Sequence, residues 1–251
     1  MNVVLLCAGM GKRLMPLTKN KPKSLVEVNN KPVIEYTLDN LIDLGFTELI
    51  LVVGYRGEQL EHYILNKYIP NKNFKGTIRF IRQIKLNGTA TAVYMSKQYI
   101  SNGDFIVLSG DTIYNKKDIK ELSKKSNTIL YTEMKDNRNQ YGTLKMDGNK
   151  ILHINEKQKR FKSNNINCGA YHLGYAIYEY ILQTPENKRI KERTITDSIN
   201  LMIDEGYVFS GIFSNELCDI STPLDVDRLE NQINLSLSAK KSTSKTCFGG
   251  G

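Results

Sequence analysis

Several residues near the N-terminus have the types and the spacing to hold a strongly anionic group. The stretch LCAGMGKRLMPLTKNKPK follows a short apolar run. It contains two glycines, Gly9 and Gly11, and five cations, of which Lys12, Arg13 and Lys23 are the candidates for binding the anion. Glycines let the main chain approach a ligand closely, arginine offers a planar fork to phosphate oxygens, and lysine offers a point charge. The stretch therefore predicts a backbone cradle for an anion, with a plain glycine turn carrying exposed basic residues as the alternative.

Two common phosphate-binding motifs do not fit this stretch. Gly9 and Gly11 begin a G-x-G-x-x-G pattern, but its third position is Leu14, and the second predicted strand runs into Val53 and Gly54 without an acidic residue. Both departures argue against a nicotinamide dinucleotide enzyme. The P-loop pattern G-x-x-x-x-G-K-[ST] is also missing from the sequence.

The elements that position this cradle alternate between strand and helix in the first half of the chain. Apolar runs predict strands at residues 3–6, 48–53, 78–81 and 105–111, and helical spacing predicts helices that open at Asn30, span 58–68 and begin near Thr89. Strands alternating with helices predict a doubly wound α/β fold, Rossmann-like, with a mainly parallel sheet. Ligands of such folds bind at the carboxyl ends of the strands.

The second half of the chain changes toward strands and turns. From Thr128 the pattern predicts a small β-rich part with a hairpin around Asp147 and Gly148, then a helix at 194–204, a strand at 207–212 and a helix after Pro223. We expect one domain over residues 1–235. Residues 236–251 are small, polar and end in glycines, which predicts a flexible tail or a linker to another module.

Composition narrows the class of protein. The 251 residues are 40% hydrophobic and 24% charged, and neither a signal peptide nor a membrane-length apolar run is present. Cys7, Cys168, Cys218 and Cys247 lie far apart, which favours reduced thiols over a disulfide framework or a zinc site. The sequence therefore predicts a cytoplasmic protein without a membrane partner.

The charge balance bears on the partners of the chain. The formal net charge is +9, but the lysines are spread along the chain and interleaved with acids. An arginine-rich arm and the motifs of nucleic-acid-binding modules are missing. We therefore expect small anionic substrates and no nucleic acid.

The whole N-terminal string, A-G-x-G-x-R-L-x-P-L-T followed by P-K, resembles the signature of the sugar-1-phosphate nucleotidylyltransferases, or NDP-sugar pyrophosphorylases. The resemblance continues in order to about residue 233. It includes K-P-V-I-E-Y, V-V-G-Y, Gln83 followed by G-T-A, S-G-D ending at Asp111, Y-G at Tyr141, E-K at Glu156, N-C-G at Asn167 and D-I-S-T-P from Asp219.

The resemblance implies attack of a sugar phosphate oxygen on the α-phosphorus of a nucleoside triphosphate, with Mg²⁺ as cofactor and pyrophosphate as the leaving group. By resemblance, Arg13 would grip the distal phosphates, Lys23 would lie at the reacting α-phosphate, and Lys157 would hold the sugar phosphate. Two anions must meet in this reaction, so positioning and cations carry the chemistry.

The resemblance also assigns the remaining contacts of the site. Asp111 and Asp219 would hold the metal, since carboxylate oxygens suit Mg²⁺, although each alone is also a common turn or capping residue. Nucleotide contacts would come from Ala8, Gly9, Gly11, Lys12, Gln83, Gly88 and Thr89. Sugar hydroxyls would be met by Gly142, Glu156 and Asn167.

Small departures from the family pattern leave the substrate open. Gln158 replaces a proline after E-K, and D-I-S-T replaces a more usual D-I-G-T. Gln83 with G-T-A favours a pyrimidine nucleotide (UTP, dTTP or CTP). The alternatives are a guanylyltransferase for heptose or mannose-type phosphate, a cytidylyltransferase for choline or alditol phosphate, and a catalytically silent regulatory protein that binds nucleotide-sugars. A homo-oligomer is also left open.

Overall fold

The computed structural model describes residues 1–134, 141–156, 163–187, 191–215 and 218–245. Their strands, in chain order, are β1 (Asn2–Cys7), β2 (Glu27–Val28), β3 (Lys31–Pro32), β4 (Glu48–Val53), β5 (Thr77–Arg82), β6 (Phe105–Ser109), β7 (Thr112–Ile113), β8 (Thr128–Glu133), β9 (Gly142–Asp147), β10 (Lys150–Glu156), β11 (Asn165–Leu173), β12 (Phe209–Phe213) and β13 (Cys218–Asp219). The helices are α1 (Val33–Asp43), α2 (Gly57–Tyr63), α3 (Thr89–Met95), α4 (Lys116–Leu122), α5 (Ile177–Gln183), α6 (Ile195–Asp204) and α7 (Pro223–Lys245).

A nine-stranded sheet in the order β5-β4-β1-β6-β11-β8-β12-β10-β9 organises the described residues. The first four strands pair in parallel, and most apolar residues of β4, β1 and β6 are buried on both faces, as expected for strands covered by helices on each side. Beyond β6 the sheet is mixed, because β11 runs antiparallel to β6 and to β8 while β12 is parallel to β8. The doubly wound α/β class is confirmed, and the β9–β10 hairpin forms the β-rich part.

The start of α1 differs from the sequence prediction. The helix begins at Val33 and not at Asn30, because Asn29 and Asn30 take left-handed φ angles of 51° and 59° and turn the chain between β2 and β3. Asparagine tolerates this backbone region better than most residues, and two consecutive residues with positive φ make a tight hairpin turn. The sequence interpretation overlooked this two-residue hairpin.

The last element is α7, which spans Pro223–Lys245. The flexible tail or linker over residues 236–251 stays a prediction. After Pro223 the helix contains neither proline nor glycine, so no strong helix breaker interrupts it over this length. Residues 246–251, with Cys247, lie outside the described residues, and the domain boundary at residue 235 stays a prediction.

A small apolar cluster ties α7 to the N-terminal loop. It is separate from the two larger clusters on the faces of the sheet and consists of Leu14, Val26, Val28, Val33, Ile220, Val226 and Leu229. Leu14 follows the glycine loop and Ile220 follows Asp219, and both are fully buried. Packing in this cluster therefore holds two segments together that are about 200 residues apart in sequence.

Two predictions from composition can be compared with the structure. Cys7 and Cys168 are buried, and burial raises the pKa of the Cys7 thiol to about 12. In the described part of the chain, every helix is too short or too polar to cross a membrane.

Candidate active site

The glycine loop after β1 has a fixed backbone. Gly11 has a φ of 62°, and a Cβ built on it would lie 2.9 Å from the Thr18 methyl carbon, so this position requires glycine. The Gly11 carbonyl accepts hydrogen bonds from the Thr18 hydroxyl and the Leu14 amide, each at 2.9 Å. These bonds and the burial of Leu14 set the position from which the Arg13 side chain leaves the loop.

Gly9 differs from Gly11 because no atom of the protein crowds it. A Cβ on Gly9 would meet nothing within 4 Å, so the loop is open at this point. The backbone of Ala8 is fixed by β4 and the loop after it, because the Ala8 carbonyl accepts a hydrogen bond of 3.1 Å from the Tyr55 amide. Gly54 permits this approach, because a Cβ there would lie 2.6 Å from the Ala8 oxygen. The open side of the loop is therefore the side available to a ligand.

Lys23, Asp111 and Asp219 meet in one pocket. The Lys23 ammonium contacts Asp111 Oδ2 directly and lies 4.0 Å from Asp219 Oδ1. Asp111 follows β6, and Asp219 is brought beside it by the antiparallel pairing of β13 with β7. The side chains of Lys23 and Asp219 are each 13% exposed, so these charges interact with little screening by water.

The electrostatics of the pocket favour a bound cation. Burial, followed by the charge of Asp111, raises the pKa of Asp219 to about 6, against the opposing effects of Lys23 and a hydrogen bond from Ser221. Within the residues that the structure describes, no cluster of three or more metal-ligating side chains occurs. Two carboxylates, with phosphates and water completing the shell, are a donor set that Mg²⁺ takes. The pair therefore fits a Mg²⁺ bound together with a phosphate substrate.

Ser221 and Tyr141 join this pocket without having been assigned a role from sequence. Arg13 Nη2 donates to Ser221 Oγ over 3.2 Å, and Ser221 Oγ donates to Asp219 Oδ2 over 2.6 Å. Tyr141 lines the same pocket, where burial and the charge of Asp219 raise the pKa of its hydroxyl to about 12. Both residues lie in motifs that carry the family resemblance, Y-G and D-I-S-T-P. Membership of these motifs is the sequence signal that could have indicated their place in the pocket.

The predicted sugar contacts lie together beside the charged pocket. A Cβ on Gly142 would lie 3.1 Å from Glu156 Oε1 and 3.6 Å from the Asn167 Cβ. Glu156 Oε1 accepts a hydrogen bond of 3.1 Å from the Thr196 hydroxyl. Asn167 lines the pocket of Lys23 and shapes a bulge in β11, since its Oδ1 accepts from the Gly169 amide over 3.0 Å.

Three of the predicted nucleotide contacts form a second group at the carboxyl end of β5. Gln83 is 5% exposed, and its amide nitrogen donates to the Gly88 carbonyl over 3.2 Å. Gly88 has a φ of 111°, and a Cβ there would lie 2.1 Å from the Arg193 carbonyl, so its glycine is required by backbone packing. The Thr89 hydroxyl accepts from the Ile195 amide over 3.0 Å.

The sheet order brings the two groups to one edge. Strands β5, β4, β1 and β6 are parallel neighbours, so the loops with Gln83, Gly54, Gly9 and Asp111 follow one another along their carboxyl ends. This edge is where doubly wound folds bind ligands. Lys12 is exposed on the same loop as Gly9. Lys157 lies outside the described residues, so its assignment stays a prediction.

Comparisons with known proteins agree with this geometry. Residues 2–231 match the model of the family described as Nucleotidyl transferase. The chain is 33% identical over 227 residues to the bifunctional protein GlmU of Methanocaldococcus jannaschii, covering 90% of this chain and 52% of that relative. It therefore spans about half the length of the GlmU relatives.

Two further comparisons cover nearly the whole of the matched protein. The UTP–glucose-1-phosphate uridylyltransferase AglF of Haloferax volcanii is 32% identical over 244 residues, which is 93% of this chain and 96% of the relative. A crystal structure of UDP-glucose pyrophosphorylase complexed with UDP-glucose has a TM-score of 0.82 at 22% identity, covers 94% of this chain and 98% of its own, and agrees in fold. From the family match and these identities, the chain belongs to the nucleotidyl transferase family, as a member of the sugar-1-phosphate nucleotidylyltransferases.

Proposed function

We propose that this chain transfers a nucleotidyl group from a pyrimidine nucleoside triphosphate, UTP first among them, to a sugar 1-phosphate, with Mg²⁺ and release of pyrophosphate. The observation that carries the proposal is the convergence of Arg13, Lys23, Asp111 and Asp219 on one pocket. UTP is preferred because a relative that this chain matches over 93% of its length is named a UTP–glucose-1-phosphate uridylyltransferase. The resemblance at Gln83 and the G-T-A loop also favours a pyrimidine nucleotide.

The chain supplies the positive charge that two reacting phosphates need. Lys23 is the most enclosed of the assigned cations that the structure describes, and its ammonium already lies between two carboxylates. Substrate phosphates that enter the pocket would compete with these carboxylates for Lys23, and we assign its ammonium to the reacting α-phosphate. A preorganised charge of this kind stabilises the transition state more than the ground state.

We assign Arg13 to the distal phosphates. One guanidinium nitrogen donates to Ser221, and the other N–H groups of an arginine remain available for phosphate oxygens. The open backbone at Gly9 lies in the same loop, so the leaving pyrophosphate would rest between main-chain amides and the guanidinium. In this proposal the α-phosphorus would lie toward Lys23.

Asp111 and Asp219 would hold the metal, and Glu156 would orient the sugar. When bound, Mg²⁺ supplies charge that offsets the phosphates and the developing pyrophosphate. Asp219 is fixed for this role by the Ser221 hydroxyl and by pairing with Thr112. The Glu156 carboxylate lies against Gly142, a position where the absence of a side chain leaves room for sugar hydroxyls.

The proposal is tested by a matrix of nucleoside triphosphates against sugar 1-phosphates, read as pyrophosphate release with and without Mg²⁺. We expect UTP or another pyrimidine triphosphate to give the highest kcat/KM, and chelation of the metal to abolish release. Release with GTP only, or with choline or alditol phosphate as the only acceptor, would replace the proposed substrate with one of the alternatives. Nucleotide-sugar binding without release in any combination would indicate a regulatory protein.

A glycine substitution separates ligand contact from folding. Because nothing in the protein crowds a Cβ at Gly9, Gly9→Ala should leave the melting temperature within about 2 °C of the wild type, since it removes no contact. The same Cβ points into the space assigned to the triphosphate. We expect UTP affinity to fall about ten- to a hundredfold, equivalent to ~1–3 kcal/mol of overpacking. Calorimetric titration with UTP measures the affinity, and thermal unfolding measures the stability.

Two other glycines serve as controls for this substitution. Gly103→Ala adds a Cβ whose nearest neighbour is 3.8 Å away, and it should change neither quantity. Gly11→Ala should lower the melting temperature, because its φ of 62° and its contact with Thr18 strain any side chain. Unchanged UTP affinity in Gly9→Ala would show that the triphosphate does not cross this loop.

A further inference from the structure

The hydroxyl of Ser221 joins the two halves of the pocket that come from opposite ends of the chain. It accepts a hydrogen bond of 3.2 Å from Arg13 Nη2 and donates one of 2.6 Å to Asp219 Oδ2. Ser221 is 5% exposed. We propose that Ser221 is a positioning residue that fixes the Arg13 guanidinium relative to the Asp219 carboxylate, and so couples the grip on the triphosphate to the cation site. This inference rests on the proposed function.

The direction of the two hydrogen bonds follows from the chemistry of the groups. A guanidinium can only donate and an ionised carboxylate can only accept, so a group between them must do both. A serine hydroxyl meets this need, because it has one O–H donor and two acceptor lone pairs. It also acts as a spacer, because without it the guanidinium is free to form an ion pair with Asp219 directly. Such a pair would take Arg13 away from the phosphates and occupy a ligand of the cation.

The backbone of Ser221 is held independently of its hydroxyl. Asp225 Oδ2 in the first turn of α7 accepts hydrogen bonds from the Ser221 amide at 3.0 Å and from the Thr222 amide at 2.7 Å. On the other side, the fully buried Ile220 packs in the cluster that contains Leu14, next to Arg13. Since neither contact uses the hydroxyl, removing that hydroxyl should change the pocket without unfolding the segment.

Two binding measurements without turnover test the proposal. In chelator, UTP titration reports the Arg13 side, and Mn²⁺ binding without nucleotide, followed by electron paramagnetic resonance, reports the Asp219 side. We expect Ser221→Ala to weaken UTP about ten- to a hundredfold, as for loss of one charge-assisted hydrogen bond, and to weaken Mn²⁺ at least threefold. Ser221→Cys keeps the shape with a weak donor and should resemble Ser221→Ala more than the wild type.

A double-mutant cycle distinguishes positioning from a merely structural role. If Ser221 acts on UTP through Arg13, Ser221→Ala added to Arg13→Ala should lower UTP affinity by less than about twofold further. Ser96→Ala is the matched control, because its fully buried hydroxyl pairs with Tyr178 outside the pocket. This control should change stability without changing either affinity.

The outcomes separate this inference from the proposed function. Ser221→Ala with wild-type affinity for both UTP and Mn²⁺, or with an effect that adds fully to that of Arg13→Ala, overturns the positioning role. A wild-type protein that binds UTP but releases no pyrophosphate overturns the proposed function, while the UTP and Mn²⁺ titrations still decide the role of Ser221. If Ser221→Ala is too unstable to titrate, Ser221→Cys supplies the same comparison.

Discussion

Lys23→Ala is expected to lower kcat about a hundred- to a thousandfold, with a much smaller change in KM for the triphosphate. Lys23 touches Asp111 and lies 4.0 Å from Asp219 in a pocket where its side chain is only 13% exposed. A preorganised charge that acts mainly on the transition state is worth about 3–4 kcal/mol, which is a loss of this size in rate. Steady-state pyrophosphate release with the best substrate pair, followed in both directions, measures it.

Arg13 and a distant lysine are the comparisons for Lys23. Arg13→Ala should weaken triphosphate binding and also slow turnover, because the departing pyrophosphate loses a charge-assisted partner. Lys72→Ala removes a lysine that is ion-paired with Asp39 at 2.6 Å, away from the pocket, and should leave kcat unchanged. If Lys23→Ala and Arg13→Ala both keep the wild-type kcat and triphosphate affinity, the glycine loop is a turn with basic residues and no catalytic role. That result would contradict the proposed function.

The elements of the fold could be read from local patterns, but their partners could not. The run of Glu48–Val53 is continuously apolar after its first residue, and it forms β4 as predicted. That β11 enters the sheet antiparallel to β6 is a long-range fact, since the period of a strand does not name its neighbour. The Asn29–Asn30 turn was overlooked because the helical spacing downstream was extended back through it.

The charged residues of the site were predictable because their types carry chemistry. Arg13, Lys23, Asp111 and Asp219 stand in motif positions, and the structure brings all of them to one pocket. The contribution of Ser221 was not predictable, because a serine has no charge and its bond to Arg13 spans 208 residues of sequence. Gly88 is a residue whose type has a structural reason apart from the predicted ligand contact. It was assigned to the nucleotide, but its Cβ position lies against the backbone of Arg193, so protein packing alone requires glycine there.

Asp219→Asn is expected to lower turnover by two or more orders of magnitude without loss of stability. Burial of the Asp219 carboxylate, followed by the negative charge of Asp111 beside it, raises the pKa of Asp219 from 3.8 to about 6. An acid with a raised pKa binds its proton more tightly in the folded state, so the charged form opposes folding above pH 6. This cost is relieved as the pH falls toward 4. In chelator at pH 7.5 the amide should therefore stabilise the fold by on the order of 1–3 kcal/mol.

Asp39→Asn is the matched control, because its carboxylate has the opposite electrostatics. Burial opposes ionisation of Asp39, but hydrogen bonds from Lys31, Lys72 and Tyr68 outweigh it and lower the pKa. A carboxyl whose pKa is lowered in the folded state stabilises the fold at pH values above its pKa in the unfolded state. Asp39→Asn should therefore lower the free energy of unfolding at pH 7.5 and leave turnover unchanged. Denaturant unfolding between pH 5 and 8 and Mg²⁺-dependent pyrophosphate release measure both effects.

Near-normal turnover in both Asp111→Asn and Asp219→Asn would contradict the metal assignment. A destabilised Asp219→Asn would instead show that its carboxylate serves the fold.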